Sequence, residues 1–295
     1  MKKLLSILVT VACVAACNKK EVNATGFSVT ADKETLKAND TVNFSFTGNA
    51  WYLTFYSGEP GKKFENRDRV TADGIPQLQF TSYRQTGSQN NTLRVLVSTN
   101  FSGVYDSTNI YNATWTDITD KAKLSTGSDN TASGVIDLSS FVSNDHPAYI
   151  AFKYLGFKDA SAQRTWTIKA ITLNNVLPDK MSYSLLTSAE STAGFQQVNM
   201  KTAAVKWTIS STQLQAKGGT VANSPEAEAW VVSKALTLNR VTPDVGVPLK
   251  NMTTALSTYK YIYTAAGTYT ATFLASNINR YDNKDDIQEL TLKVE

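Results

Sequence analysis

Cysteine is nearly missing from this chain, and its two copies, Cys13 and Cys17, both fall within the first seventeen residues. The body of the sequence therefore has no disulfide to close its loops, no thiolate nucleophile and no cysteine-based metal site. Histidine is reduced to His146, in SNDHPAY ahead of Pro147, where it reads as a turn residue. One histidine cannot complete a metal pair or a relay. Neither charge dominates: 29 Lys and Arg stand against 25 Asp and Glu, for a net charge of +4. Without a basic stripe to neutralise phosphates, nucleic acid is excluded as a partner. The longest apolar run, Leu4 to Ala16, is too short to span a bilayer. No G-x-S-x-G elbow, P-loop or G-x-G-x-x-G follows any apolar run.

What is present begins at the N-terminus. MKKLLSILVTVACVAAC carries two lysines, the apolar run and then Val14-Ala15-Ala16-Cys17, which resembles a bacterial lipobox. Small residues before Cys17 suit a signal peptidase, and the thiol would take the diacylglycerol. Cys13 follows Thr10-Val11-Ala12, a poorer match. Residues 1–16 are therefore expected to be a lipoprotein signal peptide, with Cys17 the lipidation site and the membrane a partner through that anchor. Loss of Lys2 and Lys3 leaves 27 basic residues against 25 acidic ones. Residues 17–26, running through NKKEVNATG, are polar and aperiodic and read as a tether.

Beyond the tether almost every periodic segment has a period of two, and no 3.6-residue apolar pattern lasts three turns. Strands are expected at Phe27 to Thr30, Thr41 to Thr47, Trp51 to Tyr56, Leu78 to Tyr83, Thr92 to Thr99, Gly134 to Leu138, Ala148 to Tyr154 and Trp166 to Leu173. Further strands read at Val205 to Ile209, Thr212 to Ala216, Trp230 to Val232, Ala235 to Asn239, Tyr259 to Tyr263, Thr268 to Ala275 and Glu289 to Val294. SPEAEAW at 224–230 is allotted at most a helical turn. Many short strands indicate an all-β chain of sandwiches.

Residues 27–61 resemble the front half of a PKD-like immunoglobulin-type sandwich, and 259–295 resemble its back half. The resemblance rests on the Y-x-x-x-G-x-Y hairpin of Tyr263, Gly267 and Tyr269, the strand after it and the closing ELTLKV. It implies a positive φ at Gly267 and a core Tyr269 whose hydroxyl meets a backbone partner. Between the halves, TLRVLVSTNFSG, ATWTDIT, SGVIDLSSF, AYIAFKY and TWTIKAITL resemble strands of the jelly-roll modules of bacterial adhesins and peptidases. The strand that usually leads such modules is matched by WVVSKAL at 230–236, which comes last here and suggests circular permutation. The expected organisation is a discontinuous PKD-like sandwich (27–72 and 241–295) interrupted by a jelly-roll domain (73–240).

With the lipobox and FTGNAWYLTFYSGEPGKKF, these features resemble the Bacteroidota surface lipoproteins built on a domain of unknown function and found near glycan-uptake systems. That resemblance implies a non-enzymatic outer-membrane lipoprotein, an accessory of polysaccharide uptake, with uptake components as partners. The other reading is an adhesion or structural module that binds protein or matrix. Export signals of this phylum favour acids just after the lipidated cysteine. Asn18, Lys19 and Lys20 precede Glu21 here, which leaves both the cell surface and the periplasmic face open.

Among candidate sites, NFSGVYDSTNIYNATWTD combines Tyr105, Tyr111 and Trp115 with Asn109, Asn112 and Asp106, the mixture that stacks on and hydrogen-bonds sugars. Trp115 also lies in the ATWTD strand motif, where a buried ring is expected, and the two tyrosines divide between contact and scaffold. Trp51 and Tyr52 point to opposite faces of one strand, so one of them is expected outside the core. Glu59 in SGEPG is the most suggestive acid for a carboxylate pair, and hydrogen bonding to loop amides is its competing role. No cofactor is expected beyond structural calcium, for which Asp68 to Asp73, Asp106, Asp117 and Asp120 offer oxygens without forming a D-x-D-x-D-G loop. Asp40-Thr41-Val42 and Asp106-Ser107-Thr108 resemble the O-glycosylation motif of the phylum. Ser107, expected in a loop, is the better acceptor than Thr41.

Overall fold

A computed structural model describes residues 21–127, 129–187, 194–200 and 205–295. It is all-β. The chain opens with β1 (Ser28–Ala31), β2 (Thr35–Leu36), β3 (Thr41–Thr47) and β4 (Tyr52–Tyr56). Then come β5 (Ile75–Gln85), β6 (Leu93–Ser98), a short helix α1 (Ser107–Asn112), β7 (Thr116–Asp117), β8 (Thr131–Ala132), β9 (Ile136–Asp137), β10 (Tyr149–Gly156) and β11 (Thr165–Val176). β12 (Ser182–Leu186), β13 (Phe195–Asn199), β14 (Trp207–Ile209), β15 (Gln213–Lys217) and β16 (Ala227–Ser233) follow. β17 (Val247–Lys250), β18 (Thr258–Ile262), β19 (Gly267–Ile278) and β20 (Asn283–Val294) close the chain. It divides into two compact units, Met1–Asp68 with Pro243–Glu295, and Arg69–Thr242.

The first unit packs a three-stranded sheet, β1-β3-β18, on a five-stranded one, β17-β4-β19-β20-β2. Alternation in β3 and β19 sends Val42, Phe44, Ala271, Phe273 and Ala275 inward, and all five are fully buried. Phe273 lies 4.9 Å from both Phe44 and Phe55, which ties the front strands to the returning ones. β19 pairs with β4 in a register that sets Phe273 opposite Phe55, and with β20 over its whole length.

Tyr263 is fully buried, stacks on Tyr269 at 4.6 Å and donates its hydroxyl to the Ser57 carbonyl at 2.9 Å. The Tyr269 hydroxyl reaches the Ala265 carbonyl at 2.9 Å, while its ring is only half-buried. Gly267 departs from expectation. It opens β19 with no positive φ, and a Cβ there would meet the Tyr269 ring at 3.2 Å, so close ring approach explains the glycine. Positive φ occurs instead at Gly58 (81°) and Gly61 (79°) of the FYSGEPG turn. Tyr52 is the exposed member of the Trp51–Tyr52 pair, and Trp51 is half-buried.

The tether reading of residues 17–26 fails over its second half. Val22 and Thr25 are buried, and Val22 donates its N–H to Asp282 Oδ2 at 3.1 Å. Fully buried Asn277 donates to the Asn23 and Asn49 carbonyls at 2.9 and 3.2 Å and accepts from the Trp51 N–H at 2.7 Å. One amide side chain thus secures the incoming chain, the β3–β4 loop and β19 together.

The second unit also packs two sheets. One has five strands, β13-β16-β10-β6-β7, and the other has seven, β14-β15-β11-β5-β8 with β12 beside β11 and β9 beside β5. Val95, Ile150, Phe152 and Val231 from the first meet Leu78, Phe80, Ile168 and Leu214 from the second in one buried cluster. Trp166 and Trp207 are buried in it too, each with a satisfied indole N–H: Trp166 donates to Thr92 Oγ1 at 2.8 Å and Trp207 to the Ala229 carbonyl at 3.1 Å. SPEAEAW forms no helical turn, because Ala227 to Trp230 already run in β16, between β13 and β10. Ala235 to Asn239 are not a strand either; only Leu236 bridges, to Ala148.

Candidate functional site

The outer face of the five-stranded sheet of the second unit carries a cluster of its own. Leu96, Tyr149, Ala151, Val198, Trp230 and Val232 are buried beneath the segment that joins β6 to β7. That segment is fastened at each end. Ser98 Oγ accepts from the Phe101 N–H at 3.1 Å, and Asn100 Oδ1 accepts from the Thr114 N–H at 2.8 Å. Phe101 drives its ring edge-on into Tyr149 at 5.0 Å. Between these fastenings runs α1. Its cap Asp106 accepts from the Asn109 N–H at 2.8 Å and from the Asn109 side chain at 3.0 Å. These bonds hold the exposed Asp106 carboxyl below its usual range, the backbone N–H of Asn109 contributing most. Ile110, 1% exposed, is the hydrophobic pin of the helix.

This scaffold distributes the other sugar candidates over different surroundings. Trp115 is half-buried between Phe101 at 5.6 Å and Trp230 at 5.2 Å, and its indole N–H donates to the Ile110 carbonyl at 3.0 Å. Tyr105 is half-buried and donates its hydroxyl to the Ser233 carbonyl at 3.0 Å; burial pushes that hydroxyl's pKa up. Asn109 is half-buried and engaged with Asp106 and with Ser102 Oγ at 2.9 Å. Tyr111 is 60% exposed and Asn112 beside it is exposed. Ser107 is not in a loop: it is the first residue of α1, because Asp106 caps the turn. Thr41 opens β3, half-buried and paired with Ile262 of β18.

Just past Trp115 lies an open cleft of about 390 Å³ bordered by Arg94, Asp117, Thr119 and Asp120. Asp117 accepts from the Thr119 N–H at 2.9 Å and its hydroxyl at 2.5 Å, and it faces the Arg94 guanidinium at 3.6 Å. Sequence reading passed over Arg94, which sits in β6 beside Lys153 of β10, itself paired with Glu228 of β16 at 3.2 Å. The Lys153 ammonium also lies 5.2 Å from the Trp230 ring. A row of charges beside two indoles was hidden because it joins three strands distant in sequence. The Asp at the end of ATWTD and the alternation of TLRVLV were the available signals.

Of the proposed calcium oxygens, Asp106 and Asp117 are engaged as described. Among the described residues no group of three or more His, Cys, Asp or Glu side chains converges. Asp68, exposed, pairs with the Arg67 guanidinium at 3.4 Å. Glu59 accepts from the hydroxyls of Ser57 at 2.8 Å and Tyr261 at 2.5 Å, so side-chain hydroxyls rather than loop amides occupy the carboxylate. His146 is exposed in its turn, its N–H directed to Ser143 Oγ at 3.2 Å. Cys17 lies outside the described residues. No helix among the described residues is long and apolar enough to cross a membrane.

Neither the curated proteins nor the solved structures contain a match to this chain. A family model does match, over residues 16–195, and its description is a domain of unknown function, DUF5017. That stretch holds α1, Trp115 and the four residues of the Arg94 cleft, while Val198, Trp230 and Val232 beneath them lie beyond it; it covers more than half of the sequence, so the chain belongs to the DUF5017 family.

Proposed function

We propose that this protein is a non-enzymatic, lipid-anchored outer-membrane protein of the Bacteroidota kind that holds glycan for uptake at the surface around α1 and the Arg94 cleft. In this reading the first unit is a PKD-like sandwich, the second a jelly roll and Cys17 the anchor. The observation that carries the binding claim is the contrast within α1. Tyr111 is 60% exposed, yet its helix is fixed by the Asp106 cap, the buried Ile110 and the Trp115 indole. An exposed ring on a fixed helix, beside an exposed amide, suits stacking on a sugar, because little backbone freedom is lost on binding. Arg94, Asp117, Thr119 and Asp120 add hydroxyl-pairing groups in an open cleft able to admit an extended chain rather than to enclose a small molecule. The charged row and the Trp230 indole lie side by side on one sheet face, across β6, β10 and β16.

The test is a glycan array with the mature chain, with and without calcium, followed by calorimetry on any hit. Tyr111→Ala is expected to weaken binding several-fold, on the order of 1 kcal/mol. Absence of binding to plant, host or microbial glycans would transfer the protein to the adhesion reading.

A further inference from the structure

The end of the first unit at which the chain arrives differs in character from the opposite end. The Val22 N–H on Asp282 and the Asn277 amide on the Asn23 and Asn49 carbonyls fix the arriving chain against the β19–β20 turn and the β3–β4 loop. Four exposed apolar side chains gather there: Tyr281 (56%) in the turn, Ile278 (47%) just before it, Tyr52 (37%) at the start of β4 and Met252 (58%) on the rim of a cleft shared with Asn49. Arg280 is exposed beside Tyr281, its guanidinium 5.4 Å from the ring. The acids nearby are Asp282, occupied by the Val22 N–H and 3.8 Å from the Lys284 ammonium, Asp286, which accepts from the Thr25 hydroxyl at 3.3 Å, and the exposed Asp285 and Glu21. At the opposite end, the surface carries the Lys33–Asp40 and Lys293–Glu295 ion pairs together with exposed Ile262 (48%).

Chain length decides what lies next to this end. Five residue steps separate Cys17 from Val22, so even a fully extended chain spans only about 17 Å. We propose that the Tyr52, Met252, Ile278 and Tyr281 end of the first unit rests in the headgroup layer of the bilayer that receives the Cys17 lipid. The inference rests on the lipid-anchor reading and deepens it. Tyrosines and aliphatic side chains beside Arg280 match the interfacial zone, where rings are partly buried and guanidinium meets phosphate. The contact sets the orientation of the unit, since the acyl chains already supply retention.

The mature chain has no cysteine besides the acylated Cys17, so Asn283→Cys introduces one reactive thiol next to the turn and leaves the apolar side chains intact. The acylated variant is purified from membranes, spin-labelled and reconstituted in phosphatidylethanolamine–phosphatidylglycerol vesicles, and collision with a water-soluble nickel chelate is measured. The label at 283 is expected to be about fivefold less accessible to nickel than a label at Glu34→Cys, with oxygen accessibility reversed. Adding Tyr281→Ser, Ile278→Ser and Met252→Ser should restore nickel access. An acylated protein whose two labels are equally exposed to nickel overturns the inference alone. Absence of the acyl adduct in the intact mass overturns the anchor reading and the inference with it.

Discussion

Tyr111 and Trp115 stand four positions apart, yet one lies over solvent and the other is clamped between Phe101 and Trp230. Trp115→Ala should therefore cost about 3 kcal/mol or somewhat less, because the ring is half-buried, and appear as a lowered melting temperature. Tyr111→Ala should stay within about 0.5 kcal/mol of the parent. Equal melting temperatures for the two variants would remove Trp115 from the scaffold. Asp106 offers a second residue-scale test through pH. Its folded pKa is lowered by the Asn109 N–H and side chain, so its contribution is present above the ordinary value of 3.8 and lost as pH falls through the depressed folded value. The stability difference between the parent and Asp106→Ala should accordingly be largest near neutral pH and shrink under acid, whereas Asp106→Asn, an uncharged cap, should match the parent near neutral pH and become the more stable of the two under acid, having no carboxylate to protonate. At this scale the aromatic and amide types around 100–117 were legible in the sequence, since composition alone marks them. Which ring is held and which is presented was not, because that depends on Trp230 of a strand more than a hundred residues away.

Strands β19 and β20 show at the element scale how far alternation reaches. The clean pattern of Thr268 to Ala275 marks β19, and ELTLKV marks the end of β20. The first half of β20, NKDDIQ, has no apolar face and is a strand only because each residue pairs with β19 from Ile278 inward. Pairing overrides local propensity there. β12, β13 and β17 escaped sequence reading for a related reason: each gains its place from the neighbour it pairs with, β11, β16 and β4. The six residues of α1 are too few to show a helical period and follow from the Asp106 cap. Asn277 is likewise silent in sequence. Replacing it by Ala takes the partner from the Asn23 and Asn49 carbonyls and from the Trp51 N–H at a fully buried position, with an expected cost of about 1 to 3 kcal/mol in denaturant unfolding. A variant as stable as the parent would mean that water takes over those groups. Tyr263→Phe, which leaves only the Ser57 carbonyl without its hydroxyl partner, should cost about 1 kcal/mol.

At the scale of the whole molecule, the first unit is built from two stretches separated by the 174 residues of Arg69–Thr242. Its core depends on both stretches: Phe44 and Phe55 come from the first, Tyr263 and Phe273 from the second, and every ring contact among them except Phe44–Phe55 crosses the gap. Each stretch alone leaves one side of an aromatic core in water, so neither is expected to fold by itself. The ends to be joined are already neighbours. Asp244 donates its N–H to the Asn66 carbonyl at 3.2 Å, and its carboxylate accepts from the Lys63 N–H at 2.9 Å. A short glycine-serine bridge in place of residues 69–242 therefore costs little loop entropy and leaves these bonds intact. The shortened protein is expected to be soluble, to give a β-type circular dichroism spectrum and to unfold in a single cooperative transition. Because Tyr261 and Glu59 bond across the same two stretches, it should also lose stability on Glu59→Gln, as the full chain should. Aggregation of the bridged form without β signal would show that the first unit needs the second to fold.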